Sequence, residues 1–276
     1  MSDKTHVTAS PWVQLRQLTQ ARIALGRAGV SLPTQAQLAF QQAHAQARDA
    51  VHAPLDVASL LHALQARGHA SLLTHSACRD RGEYLQRPDL GRRLDPDSAQ
   101  RLSALAPAAV DLALVIGDGL SARAIEQNAI PFLDALLARL QPDAWSLAPI
   151  VLACQARVAL GDDIGGLLHA RAVVVMIGER PGLSAPDSMG LYLTWAPRPG
   201  LTDAGRNCIS NVRPAGMGYP EAAYKLHYLL TQARLRGLSG VALKDQTTGQ
   251  DALAAPAHNF LLPSPSMHGP EPDTSV

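Results

Sequence analysis

The sequence predicts an α/β fold: a Rossmann-like domain built on a parallel sheet, with an α-helical region on its N-terminal side. Two observations carry that expectation. Beyond Pro107, short apolar runs at 112–116, 150–153, 173–177 and 191–195 alternate with stretches of helical length. The runs are continuous rather than interleaved with polar residues, as expected of strands covered on both faces by crossover helices.

The elements follow in order. Over 12–27, Val13, Leu15, Leu18, Ile23 and Leu25 recur at intervals of two to five, which predicts a helix ended by Gly26 and Gly29. A second helix is expected over 33–50, where Ala39, Ala43, Ala47 and Ala50 form a small-residue stripe that permits close helix packing. A third covers 57–65. Between 77 and 98, arginines and aspartates crowd around Pro88, Gly91 and Pro96, the pattern of a solvated linker at a domain boundary. Helices at 121–140, 164–170 and 220–236 fill the intervals between strands or close the series. The last stretch, 263–276, is rich in Pro and Ser with almost nothing apolar, so a mobile or loosely docked tail is expected. The resulting division is a helical N-terminal region and charged linker at 1–95, the Rossmann-like domain at 96–245, and a Pro/Ser-containing tail at 246–276.

Composition narrows the function. Lys plus Arg number 24 against 23 Asp plus Glu, a net charge of +1, which gives no bias toward nucleic acid or an anionic membrane surface. The three cysteines, Cys78, Cys154 and Cys208, lack the spacing of a zinc site, and an odd, scattered set fits a reducing interior. The start is polar and no run approaches ~20 apolar residues. The expected location is therefore cytoplasmic or packaged inside the cell.

Ligands of such sheets bind beyond the carboxyl ends of the strands, so the loops there are the candidates. The first, Gly117 to Ala122, opens a helix; Asp118 and Ser121 either hold a polar ligand edge or simply cap the helix. It is not GxGxxG, which weighs against a dinucleotide enzyme acting alone. The second, Arg157 to Gly165, pairs Asp162 with Asp163, either as a helix cap favoured by the macrodipole or as two ligands of a metal that lacks a third. In the third, Ile177 to Ser188, two glycines and two prolines fix a rigid path carrying Glu179, Arg180, Asp187 and Ser188. The fourth, Thr202 to Pro214, sets Cys208 among Arg206, Asn207 and Asn211, either as an activated thiol or as a packing residue.

Several blocks together resemble the small subunit (light chain) of ethanolamine ammonia-lyase: 19–29, Leu32-Pro33-Thr34, 44–51, 84–92, 118–122, 157–165, 177–188, 206–213 and 238–241. Two positions depart from the family pattern, Ala43 before His44, and Gly166 where Glu is common. The resemblance implies an ammonia-lyase active only with a large catalytic subunit, which binds ethanolamine, while this chain covers one face of adenosylcobalamin. It implies a radical conversion of ethanolamine to acetaldehyde and ammonia, in which the cofactor supplies the hard chemistry. It places cobalamin contacts on Val158, Glu179 and Cys208, and no catalytic or metal-ligating residue on this chain. Val158 would give an apolar or backbone contact, Glu179 an acceptor for amide or nucleotide-tail donors, and Cys208 a compact wall. The sequence also lacks DxHxxG, so the cofactor is expected to keep its own benzimidazole as lower ligand. A non-catalytic subunit of a shell-associated assembly, such as a bacterial microcompartment, is the competing reading; it predicts no cobalamin contact.

Overall fold

A computed structural model describes residues 6–105 and 108–247. Within them, residues up to Lys244 form one compact unit. The expected tail lies, from residue 248 on, outside the described residues.

The helices are α1 (Thr34–His52), α2 (Val57–Ala66), α3 (Arg81–Gln86), α4 (Pro96–Leu105), α5 (Ala122–Leu140), α6 (Leu160–Leu167) and α7 (Tyr219–Arg236). The strands are β1 (Ser71–His75), β2 (Val110–Gly117), β3 (Ile150–Cys154), β4 (Ala170–Gly178), β5 (Met189–Trp195) and β6 (Arg206–Val212), in the sheet order β1-β3-β2-β4-β5-β6. The α/β class is as expected. β1, β3, β2 and β4 run parallel.

The sheet is not parallel throughout. β5 is antiparallel to β4, and β6 to β5, so β6 runs in the direction of β4. The connections explain it: 179–188 and 196–205 contain no α-helix, and a parallel return needs a crossover of a dozen or more residues. β6 itself was expected as loop, because only Arg206, Ile209 and Val212 of its seven residues are buried.

The strands divide their side chains between two cores. Leu114, Ile116, Val174, Met176, Leu191 and Ile209 face α5 and α7. Val115, Val151, Val173, Val175 and Ile177 face α4 and α6. α6 begins earlier than expected, at Leu160, so that Asp162 and Asp163 lie inside its first turn rather than ahead of it.

Two expectations for the N-terminal half fail. Over 12–27 only a 3-10 turn, Val13–Gln17, forms, and none of its residues is buried. Ala24, Gly26 and Gly29 have positive φ, which no helix tolerates. Periodicity alone holds no helix that has nothing to pack on. The boundary near 95 also fails to separate two cores. β1 pairs with β3, and the charged stretch is folded in: Tyr84 is fully buried and the Ser98 hydroxyl oxygen accepts from the His75 amide at 3.0 Å. Its aspartates start helices, Asp80 accepting from the Glu83 amide at 2.8 Å and Asp95 from that of Ser98 at 2.9 Å. Among the described residues no helix is long and apolar enough to cross a membrane.

Candidate functional site

Gly178 ends β4, and Glu179 follows as the first residue beyond it. Opposite, β6 carries an irregularity: Leu191 pairs with Ile209 but Met189 with Val212, so Ser210 and Asn211 together face Gly190. Asn211 takes a positive φ of 60° to close this bulge. The bulge turns the Ser210 hydroxyl and the Asn211 amide toward Glu179, whose Oε2 accepts from Asn211 at 3.2 Å and whose Oε1 accepts from Ser210. Ser188 Oγ donates to the same carboxylate, and the Glu179 amide donates back to the Ser188 carbonyl at 2.9 Å. Gly190 is required here, because a Cβ would stand 2.9 Å from Glu179 Oε1. A carboxylate offers about four acceptor positions, so three donors leave one free.

Cys208 pairs across the strands with Tyr192. Both lie on the α6 side of the sheet, out of phase with Leu191 and Ile209, which point to α7. α6 covers β4 and β2 but leaves Cys208 and Ser210 exposed. Crowding by protein pushes the Cys208 thiol up, the hydrogen bond with Tyr192 opposes that, and the Glu179 charge adds to it. Burial, followed by the thiol, raises the Tyr192 phenol as well. Neither group is ionised near neutral pH, so this strip is a wall and a hydrogen-bonding edge rather than a nucleophile.

Val158 sits between β3 and α6, partly buried against the same core as Val175, Ile177 and Tyr192. Of the three residues singled out in the sequence, Glu179 and Cys208 lie close enough for the carboxylate charge to act on the thiol, whereas Val158 packs against the core on the same side of the sheet at the end of β3, with β2, β4 and β5 between it and β6. The sequence reading passed over Tyr192, although its position one step out of phase with Leu191 and Leu193 marked it.

The remaining candidate polar groups serve the frame. Asp118 accepts from the Gln155 and Ala156 amides at 3.0 and 2.9 Å and pairs with Arg81 at 3.3 Å, tying the end of β2 to the loop that leads to Val158. Burial pushes its carboxyl up against the Ala156 amide and Arg81, which favour the charge. Ser121 is a helix cap: its Oγ accepts from Ala124 at 3.1 Å and donates to the Pro186 carbonyl at 2.8 Å, holding the third loop. Asp162 is engaged by Arg206 through two contacts of 2.7 Å, and Asp163 accepts from the Leu94 amide at 3.2 Å. Both carboxylates of the second loop thus have protein partners. Among the described residues, no group of three His, Cys, Asp or Glu side chains is placed to hold a metal ion.

Comparison with known proteins gives this geometry its context. The sequence profile of the family described as ethanolamine ammonia-lyase light chain (EutC) matches residues 9–244. A protein of Azotobacter vinelandii named ethanolamine ammonia-lyase small subunit is 60% identical over 267 residues, covering 95% of this chain and 99% of its own. Proteins of the same name from Ralstonia nicotianae and Pseudomonas aeruginosa are 60% identical over 259 residues and 57% identical over 270, covering 93% and 95% of this chain and 96% and 99% of theirs. The chain belongs to the ethanolamine ammonia-lyase small-subunit family.

Proposed function

We propose that this chain is the small subunit of an adenosylcobalamin-dependent ethanolamine ammonia-lyase and forms one wall of the cofactor site at the junction with a larger, ethanolamine-binding subunit. The observation that carries the reading is the strip of sheet beside α6 that no described helix covers, where Glu179, from the connection after β4, lies beside Cys208 on β6, while Val158, just ahead of α6, packs against the core on the same side of the sheet. A planar macrocycle with amide-bearing edges fits such a surface better than a closed pocket. Apolar Val158 and the compact, un-ionised Cys208 allow close approach. Glu179, held by Ser188, Ser210 and the Asn211 amide, has one acceptor position left for an amide or hydroxyl donor.

When bound, adenosylcobalamin supplies homolytic cleavage of its cobalt–carbon bond, the radical source for converting ethanolamine to acetaldehyde and ammonia. Val158, Glu179 and Cys208 would orient that group and exclude water from one of its faces, with no His of this chain called on to ligate its metal. The location proposed is the cell interior, with packaging in a bacterial microcompartment as a further assignment.

Co-expression with the large subunit tests the reading through cobalamin absorbance retained by the purified complex and ammonia released from ethanolamine. Glu179→Ala and Cys208→Trp should each raise the KM for adenosylcobalamin with a smaller effect on kcat. A complex that turns over equally well without this chain, or variants with an unchanged cofactor KM, would overturn it. Each single His→Ala variant should leave the cobalt spectrum as it is.

A further inference from the structure

The segment from residue 6 to residue 32 is ordered by its own backbone and adds nothing to the core. Thr8 and Arg27 exchange two backbone hydrogen bonds of 2.8 and 3.0 Å, closing the segment into a loop, and Ala28 pairs with Ser31 in the same way. Gly26 makes the closure possible, with a φ of 77° and room for no Cβ, which would stand 2.7 Å from the Thr8 carbonyl oxygen. No residue of the loop is buried. Its apolar side chains face outward: Trp12 is 66% exposed, Leu18 56% and Leu32 55%. α1 continues the surface, since only Ala43, Ala47 and Ala50 face inward while Leu38 and Phe40 stay exposed. So many large apolar side chains left exposed along one folded segment mark an interaction site.

Charge selects the occupant. Residues 6–48 contain Arg16, Arg22, Arg27 and Arg48 and no Asp or Glu. A second copy of this chain would set the same cationic patch against itself in a two-fold contact, which like charges oppose. The complementary partner presents apolar residues ringed by carboxylates. The surface is also joined to the candidate cofactor wall: Arg22 donates to the Leu183 carbonyl at 3.1 Å and reaches Ser184 at 3.5 Å, within the connection that begins at Glu179. We infer that the 6–32 loop, with the outer side of α1, is a docking surface for an acidic, apolar face of the large subunit, and that docking there braces the loop carrying Glu179.

The inference rests on the two-subunit reading above. It is tested in the full chain co-expressed with a tagged large subunit. The double variant Leu15→Asp/Leu18→Asp should weaken association by at least about tenfold, and Arg16→Glu/Arg22→Glu should weaken it most at low salt. Leu235→Asp, on an exposed residue of α7, serves as the control and should associate as wild type. Because the altered side chains are exposed, the melting temperature of the chain should hold. A photo-crosslinking phenylalanine analogue at Trp12 gives an independent reading, expected to mark an acidic segment of the large subunit. Unchanged association in both arm variants, or a cross-link confined to this chain or to a second copy, would overturn the inference, as would arm-dependent capture by anionic vesicles in place of the large subunit. The failures are separable. A complex that forms through the arm yet holds no cobalamin sinks the proposed function alone; an active complex indifferent to both variants sinks the docking surface alone.

Discussion

Replacing Arg206 by Met should be among the most damaging single changes in the chain, and the reason can be worked from the structure. Arg206 opens β6, two residues before Cys208, and its side chain is 2% exposed, as is that of Asp162 on α6. The guanidinium gives Asp162 two contacts of 2.7 Å, a third at 2.9 Å to Thr194 Oγ1 and a fourth at 3.3 Å to the Leu201 carbonyl. Arg206→Met removes these donors and strands the Asp162 carboxylate in the interior, a loss of about 3–5 kcal/mol for a broken buried pair. At ~2–4 °C per kcal/mol for a domain of this size, the melting temperature should fall by about 6–20 °C.

The companion double variant, Asp162→Leu/Arg206→Met, removes both charges and should regain more than half of that loss, because a matched apolar pair carries no unpaired ion. Thermal unfolding of the wild type, both singles and the double closes the cycle. A single variant within about 1 kcal/mol of wild type, or a double no better than Arg206→Met alone, would refute the reasoning. The pair also links α6, which follows Val158, to β6, which carries Cys208. If that link sets the width of the open strip, the double variant should regain stability without regaining cofactor affinity.

Other outcomes follow from single contacts. Gly119→Ala places a Cβ 2.3 Å from the Gly178 carbonyl at a φ of 56°, so it should cost well over about 2 kcal/mol, whereas Gly29→Ala, at 62° with nothing nearby, should cost only ~1 kcal/mol in the same melting assay. Burial raises the Asp111 carboxyl, but the Ser146 amide and hydroxyl, with Arg234 and Arg171, outweigh that and leave it below the ordinary carboxylate value. A lowered folded value stabilises the protein above the unfolded pKa near 4 and is lost as pH falls through the folded one; the melting gap between wild type and Asp111→Asn should therefore be full at pH 6 and close in acid, and a gap that widens on acidification would contradict the assignment. Iodoacetamide should label exposed Cys208 first, with a rate still climbing at pH 9 because its thiol is raised. Cys154, pushed up to about 11 by burial, and buried Cys78 should lag, and equal labelling of Cys154 would count against the packing around it.

The parallel half of the sheet was legible because β2, β3 and β4 are unbroken apolar runs, and burial on both faces is what such runs record. β1 was missed for the opposite reason: it is a five-residue edge strand with a single buried residue, Thr74, and Ser71-Leu72-Leu73 reads equally well as the end of a helix. β6 was missed because one of its faces is polar. Its residues Cys208, Ser210 and Asn211 look like loop residues because none of the described residues covers them. Charge density misled in the 77–98 stretch: Arg79, Arg87, Arg92 and Arg93 are exposed as a linker would have them, but Arg81 lies on the buried Tyr84 ring, 4.6 Å from its centre, and Arg157 from the second loop takes the same ring at 4.3 Å. Sequence spacing counts guanidinium groups but not the aromatic face that takes them in.

The departure from a wholly parallel sheet and the candidate site have one origin. In a βαβ unit the crossover helix that returns the chain also covers one face of the new strand, so extending β4 in that manner would have laid a helix over the next strand. Here the chain turns back through Glu179 to Ser188, adding β5 and then β6 without such a helix, while α7 supplies cover on the other side only. Tyr192, Cys208 and Ser210 consequently face outward on an otherwise double-covered sheet, and the connection that takes the helix's place is the one that carries Glu179. The same loop meets the N-terminal segment through Arg22. The open strip is thus a consequence of topology, and, on the proposed function, any substitution that lets a side chain of this molecule fold over it should compete with adenosylcobalamin for the same area.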